Sequence, residues 1–106
     1  MAELKIIYTT VANREEGVNL AKTLVREHLV ACGNVLPKMK AIYRWKGTIR
    51  EEEEVAVIFK TSAAKAPAAM ARICELHSYD IPAVEIWAVE DAPKPFRDWV
   101  LEETSD

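Results

Sequence analysis

Apolar residues recur along this chain with two periods, and the switches between them mark out the elements. Leu4 to Val11, "LKIIYTTV", is rich in Ile, Tyr, Thr and Val and predicts a strand. Asn13 then stands where a helix N-cap belongs, with Glu16 three residues on, close to a capping box. Val18, Ala21, Leu24, Val25 and His28 follow at helical spacing, opposite Glu15, Lys22 and Arg26, which predicts an amphipathic helix. Val30 to Tyr43 reads as a second strand. Pro37 interrupts it and, lacking an N–H, marks a bulge or an edge.

Trp45-Lys46-Gly47 is a turn in which Gly47 can take positive φ. The chain returns from Ile49 to Lys60. Within that run Val55 to Phe59, "VAVIF", is apolar at every position, as in a central strand covered on both faces. Thr61 or Ser62 is predicted to cap a second helix with Pro67 in its first turn, and Met70, Ile73, Cys74 and His77 share one face. Pro82 cannot continue that helix. Ala83 to Val89 reads as a strand, and Lys94 to Glu103 as a short helix carrying Phe96 and Trp99.

The order β-α-β-β-α-β plus a short helix predicts an α+β, ferredoxin-like split βαβ sandwich, with an antiparallel sheet and both main helices on one face. The other face then has no cover within the chain. Bare apolar sheet is a liability, so an oligomer is expected.

Composition narrows the function classes. The 106 residues read as one domain, 1–106, and half of them are apolar. A chain of this size buries about two thirds of its unfolded surface. The formal charge is -3 with both signs interspersed, which argues against a nucleic-acid binder, since that would show a basic face. The residues before the first strand read as its lead-in and not as a signal peptide. No apolar run approaches the roughly 20 residues of a membrane span. Two cysteines are too few for a disulfide scaffold, so a cytoplasmic setting is expected.

The candidate chemistry is sparse. Cys74 and His77 lie at i and i+3, where one helix face could offer sulfur and imidazole to copper or zinc. Two ligands do not close a site, and Cys74 lies on the apolar stripe, so it is expected in the core. His77 is open between a metal ligand and a helix-end cap. Cys32 is expected as a buried thiol, because its local sequence offers no cation to activate it. Glu51 to Glu54 alternate faces along a strand and read as a solvated hairpin edge, or as a meeting point for cations between copies. Glu54 and Lys60 share a strand face and suit an ion pair at a subunit boundary, or an anion held by Lys60. Tyr43, Trp45 and Tyr79 suit either an intersubunit cleft or interface anchors, and Trp87 and Trp99 suit core or interface packing. No nucleophile–His–acid order and no Gly-rich phosphate loop is present, so no enzyme is expected.

Four segments in order carry a family resemblance: Ala31-Cys32-Gly33-Asn34-Val35-Leu36-Pro37, Ile42-Tyr43-Arg44-Trp45-Lys46-Gly47, Glu54-Val55 with Lys60-Thr61, and Leu76-His77-Ser78-Tyr79-Asp80-Ile81-Pro82. Together they resemble the CutA family, named for divalent-cation tolerance, from about the first strand to Trp99-Val100. The resemblance implies a tight homotrimer, similar in architecture to P-II signalling proteins. Its central hairpin would reach to neighbouring subunits, and its sheets would pack together inside. It also implies binding of divalent metal, copper included, with His77 as the matched metal position. The intersubunit cleft would be formed by Tyr43, Trp45, Glu54, Lys60, Tyr79 and Asp80. Partners would be the chain itself and divalent ions, with no nucleic acid and no membrane.

The chain departs from the family pattern at Ser78, where Pro is usual, and at Ala83, where Glu is common and Glu85 comes two residues later. At the other copper positions of the family it carries Tyr8 and Leu76. The alternative function is a P-II-like small-ligand sensor or scaffold, with Trp45, Lys60 and Tyr79 as its cleft.

Overall fold

The computed structural model describes residues 3–106. Met1 and Ala2, counted above in the domain, lie outside the described residues. Strand β1 is Leu4–Val11, helix α1 Arg14–Arg26, β2 Cys32–Trp45, β3 Thr48–Ser62, α2 Ala66–Leu76, β4 Val84–Ala88 and α3 Lys94–Glu103. The strands form an antiparallel sheet in the order β2-β3-β1-β4, the split arrangement expected from the pattern.

The register of β1 on β3 follows from their apolar content. Ile7 sits opposite Phe59, Thr9 opposite Val57 and Val11 opposite Val55. Because side chains alternate, these residues point to one face. There they meet Leu20, Ala21 and Leu24 of α1 and Ala66, Ala69 and Ile73 of α2 in the main core. The "VAVIF" run is the central strand that its composition implied, with Val55, Ala56, Val57 and Phe59 all buried.

The stripe on α1 differs from expectation. Its buried residues are Gly17, Leu20, Ala21 and Leu24, while Val25 is exposed and Val18 half-buried. His28 is exposed and outside the helix: the chain turns at Glu27, and His28 takes a φ of 60°. Gly17 belongs to the stripe because α1 lies close on the sheet, where a Cβ would meet Val57, Val35 and Val11.

On α2, Ala66, Ala69 and Ile73 face inward, one turn or two apart. Cys74, one position and about 100° further round the helix, is exposed, which corrects its placement in the core. The predicted caps also shift. Thr61 is still in β3, where its hydroxyl donates to Leu29 O (2.6 Å). Ser62 ends the strand and its Oγ accepts from Lys65 N (3.2 Å); Lys65 is the N-cap, and the helix starts at Ala66 with Pro67 in its first turn.

Pro37 produces a bulge, as expected. Val35 pairs with Val57 and Lys38 with Val55, so Leu36 and Pro37 together oppose Ala56. Beyond this point β2 and β3 leave β1 behind and continue as a two-stranded arm, giving a molecule 45 Å long and about half as wide. Lys46 and Gly47 both have positive φ, 49° and 79°, and close the arm with a two-residue turn of the kind that matches strand twist. Ile42 and Ile49 on the arm are 67% and 63% exposed.

The second sheet face is not wholly bare, as the sequence had suggested. Helix α3 covers one end, where Val100 packs with Leu4 and Ala31. The rest carries Ile6, Tyr8, Ile58 and Trp87, none of them fully buried, with Tyr8 stacked on Trp87 at 5.1 Å between ring centres.

Gly33 sits where α1 crosses β2. A Cβ there would lie 2.9 Å from the Ala21 Cβ and 3.2 Å from the Phe59 ring. Gly33→Ala is therefore expected to cost about 1–3 kcal/mol through overpacking, read as a lower denaturation midpoint. Adding Ala21→Gly should recover part of the loss; a neutral Gly33→Ala would contradict this packing.

Candidate functional site

Polar contacts converge where α2 ends and the chain turns toward β4. The start of α1 supplies the anchor. Asn13, in extended conformation, caps the helix by accepting from Glu16 N (2.8 Å), and Glu16 Oε1 reaches back to Ala12 N (3.2 Å). The same carboxylate also holds a segment 62 residues away. Ser78 N donates to Oε2 (3.0 Å) and Ser78 Oγ to Oε1 (2.9 Å). Ser78 can do this because it has an N–H; the proline usual here in the resembled pattern would not.

His77 follows the last turn of α2 with extended backbone, and its ring turns inward. Nε2 lies 2.8 Å from Thr10 O at the end of β1, and Nδ1 lies 3.1 Å from Tyr79 N. The Tyr79 ring is tilted against the imidazole at 4.8 Å, and its hydroxyl donates to Glu54 Oε2 (2.8 Å), at the root of the arm. The corner is thus tied to α1, β1 and β3.

The electrostatics follow from these bonds. Burial alone would raise the Glu16 carboxyl, but the hydrogen bonds donated by Ser78 and Ala12 outweigh it and hold the group below its ordinary value. Burial pushes the Tyr79 phenol far up. Its bond to the Glu54 carboxylate adds to the shift, so it remains a donor at any physiological pH. The Tyr43 hydroxyl donates to Glu52 and is raised by that bond.

The six cleft residues expected from the sequence do not meet within one protomer. Tyr79 and Glu54 touch, and Tyr43 with Glu52 lies next along the arm. Trp45 is at the tip, beside Lys46 and opposite Thr48, which lies six residues along β3 from Glu54. Lys60 is six residues the other way, where it donates to Asn34 Oδ1 (2.6 Å). At about 3.4 Å per residue each separation is about 20 Å. Asp80 is exposed.

Cys74 and His77 do not form a pair, since one faces solvent and the other is buried. Cys32 is half-buried and faces Lys60 across the ladder, a cationic neighbour that only long-range pairing supplies. Among the described residues no group of three or more His, Cys, Asp or Glu is placed so that it could hold a metal ion. Sequence reasoning found Glu16 as a capping residue but missed its hold on Ser78. It also missed Thr10 and Asn34, whose partners lie far off in the chain.

Residues 5–103 match the family model of the CutA1 divalent ion tolerance protein. The chain belongs to that family. It is 40% identical to the divalent-cation tolerance protein CutA of Pyrococcus horikoshii, over 93% of this chain and 96% of the relative. It is 32% identical to the protein of that name from Thermus thermophilus, over 94% and 97%. The structure superposes on CutA from Xylella fastidiosa with a TM-score of 0.95 at 29% identity, covering 98% of this chain and all of that one. Family membership explains why four separated motifs occur in one order. The fold brings two of those motifs, the corner and the root of the arm, into contact through Tyr79 and Glu54.

Because the Glu16 carboxyl is lowered on folding, its stabilisation is present above the ordinary glutamate range, about 4.3, and is lost as pH falls through the lowered value. Glu16→Gln should cost about 1–3 kcal/mol near neutral pH and flatten the stability profile below pH 4–5, about where glutamate titrates. Denaturant midpoints from pH 6 to 3 check this; parallel profiles for the two proteins would contradict it.

Proposed function

We propose that the protein is a non-enzymatic, cytoplasmic homotrimer that takes up divalent cations, copper among them, and so contributes to tolerance of metal ions. The observation that carries this reading is membership of the divalent ion tolerance family over nearly the whole chain. The half-open face of Ile6, Tyr8, Ile58 and Trp87, and the exposed apolar residues of the arm, support closure by other copies. In this reading the ion-binding groups are drawn from more than one copy; one protomer brings no three His, Cys, Asp or Glu together among its described residues. The intersubunit cleft of Tyr43, Trp45, Glu54, Lys60, Tyr79 and Asp80 likewise needs a neighbour, because Trp45 and Lys60 stand far along the β2–β3 ladder, in opposite directions, from Glu54, which Tyr79 touches. The small-ligand sensor reading draws on the same dispersed residues, and no contact within the protomer favours it.

Calorimetric titration with Cu(II) and Zn(II) tests the proposal on the wild type and on Trp87→Arg, which places a charge on the half-open face. Saturable binding is expected for the wild type and a loss of binding for a dissociated variant. No binding by the wild type, or undiminished binding by a dissociated variant, would overturn the proposal.

A further inference from the structure

Both partners of the His77 ring are backbone groups with fixed roles. Thr10 O can only accept, so Nε2 carries the proton. Tyr79 N–H can only donate, so Nδ1 meets it with its lone pair. The two contacts together set the tautomer. The side chain is 0% exposed. A metal ion binds imidazole through an unprotonated nitrogen; here one nitrogen is protonated and the lone pair of the other is taken. Glu16 Oε2 lies 3.8 Å from Nδ1 but already accepts from Ser78 N.

From these contacts we infer that His77 is a positioning residue and not a metal ligand: locked as the Nε2–H tautomer, it ties the α2–β4 corner to the end of β1 and aims Tyr79 at Glu54. The ring holds the Tyr79 backbone on one side, and Ser78 is held by Glu16 on the other. Between them the direction of the Tyr79 side chain is set, and its hydroxyl lands on the carboxylate at the root of the arm. The inference is independent of which ion the protein takes up.

His28 provides an internal comparison. It is exposed, its Nδ1 lies 3.0 Å from Glu103 O, and no hydrogen bond engages its Nε2 among the described residues.

Nitrogen NMR of the two imidazoles in the full chain tests the inference directly. His77 should show a protonated Nε2 and a bare Nδ1. Substoichiometric Cu(II) should leave its signals in place, whatever happens at His28. An Nδ1–H tautomer, or selective broadening of His77 that a chelator reverses, would overturn the inference. Amide exchange adds a readout that does not involve metal. His77→Ala should lose protection at Tyr79 N, and His77→Asn, whose side-chain oxygen can accept from the N–H two residues on, should restore it. Unchanged Tyr79 protection in His77→Ala would also overturn the inference.

Discussion

The pairing of β1 with β3 is the constraint on which the other features depend. Its register places Ile7, Val11, Val57 and Phe59 on one face, each with no exposed surface, and the two main helices have no other apolar surface of that extent to cover. The same register places Ile6, Tyr8 and Ile58 on the other face, because alternation admits no other outcome. A chain that satisfies the first face therefore necessarily creates the second. Helix α3 covers one end of it through Val100, and the Tyr8–Trp87 stack remains half open.

The end of that ladder also fixes the polar corner. β1 stops at Val11 while β3 extends past Val55 into the arm, so Thr10 O and Glu54 stand close to the turn after α2. The corner takes advantage of both: His77 binds the strand that ends and Tyr79 the strand that continues. Glu16 adds the third attachment from the start of α1. Three elements are thereby joined through backbone groups and carboxylates with little exposed surface. This leaves His77 without a free lone pair even though it lies in a motif of a metal-tolerance family.

Local chemistry made most of the fold legible. The Asn13 cap, the Pro37 bulge, the Gly47 turn and the all-apolar "VAVIF" run each act within a few residues, and each appears where its residues require it. The misplacements have long-range causes. Cys74 satisfied a helical period, but the sheet meets α2 through Ala69 and Ile73, and one step round the helix is enough to reach solvent. His28 fitted the stripe of α1 until the chain turned at Glu27. The candidate site was less legible. Tyr79 and Glu54 carry motifs but no local sign that they touch, and Ser78 bonds a glutamate 62 residues earlier. Trp45 and Lys60 belong to the same motif set and still lie at opposite ends of the β2–β3 ladder, because a shared motif does not imply a shared pocket.

The proposed closure of the second sheet face by other copies of the chain would connect the fold to its proposed role in metal tolerance, and the mass in solution tests it most directly. Light scattering across a dilution series should give three times the 12.0 kDa of one chain, steady until high dilution. A mass near that of a single chain throughout the series would contradict it.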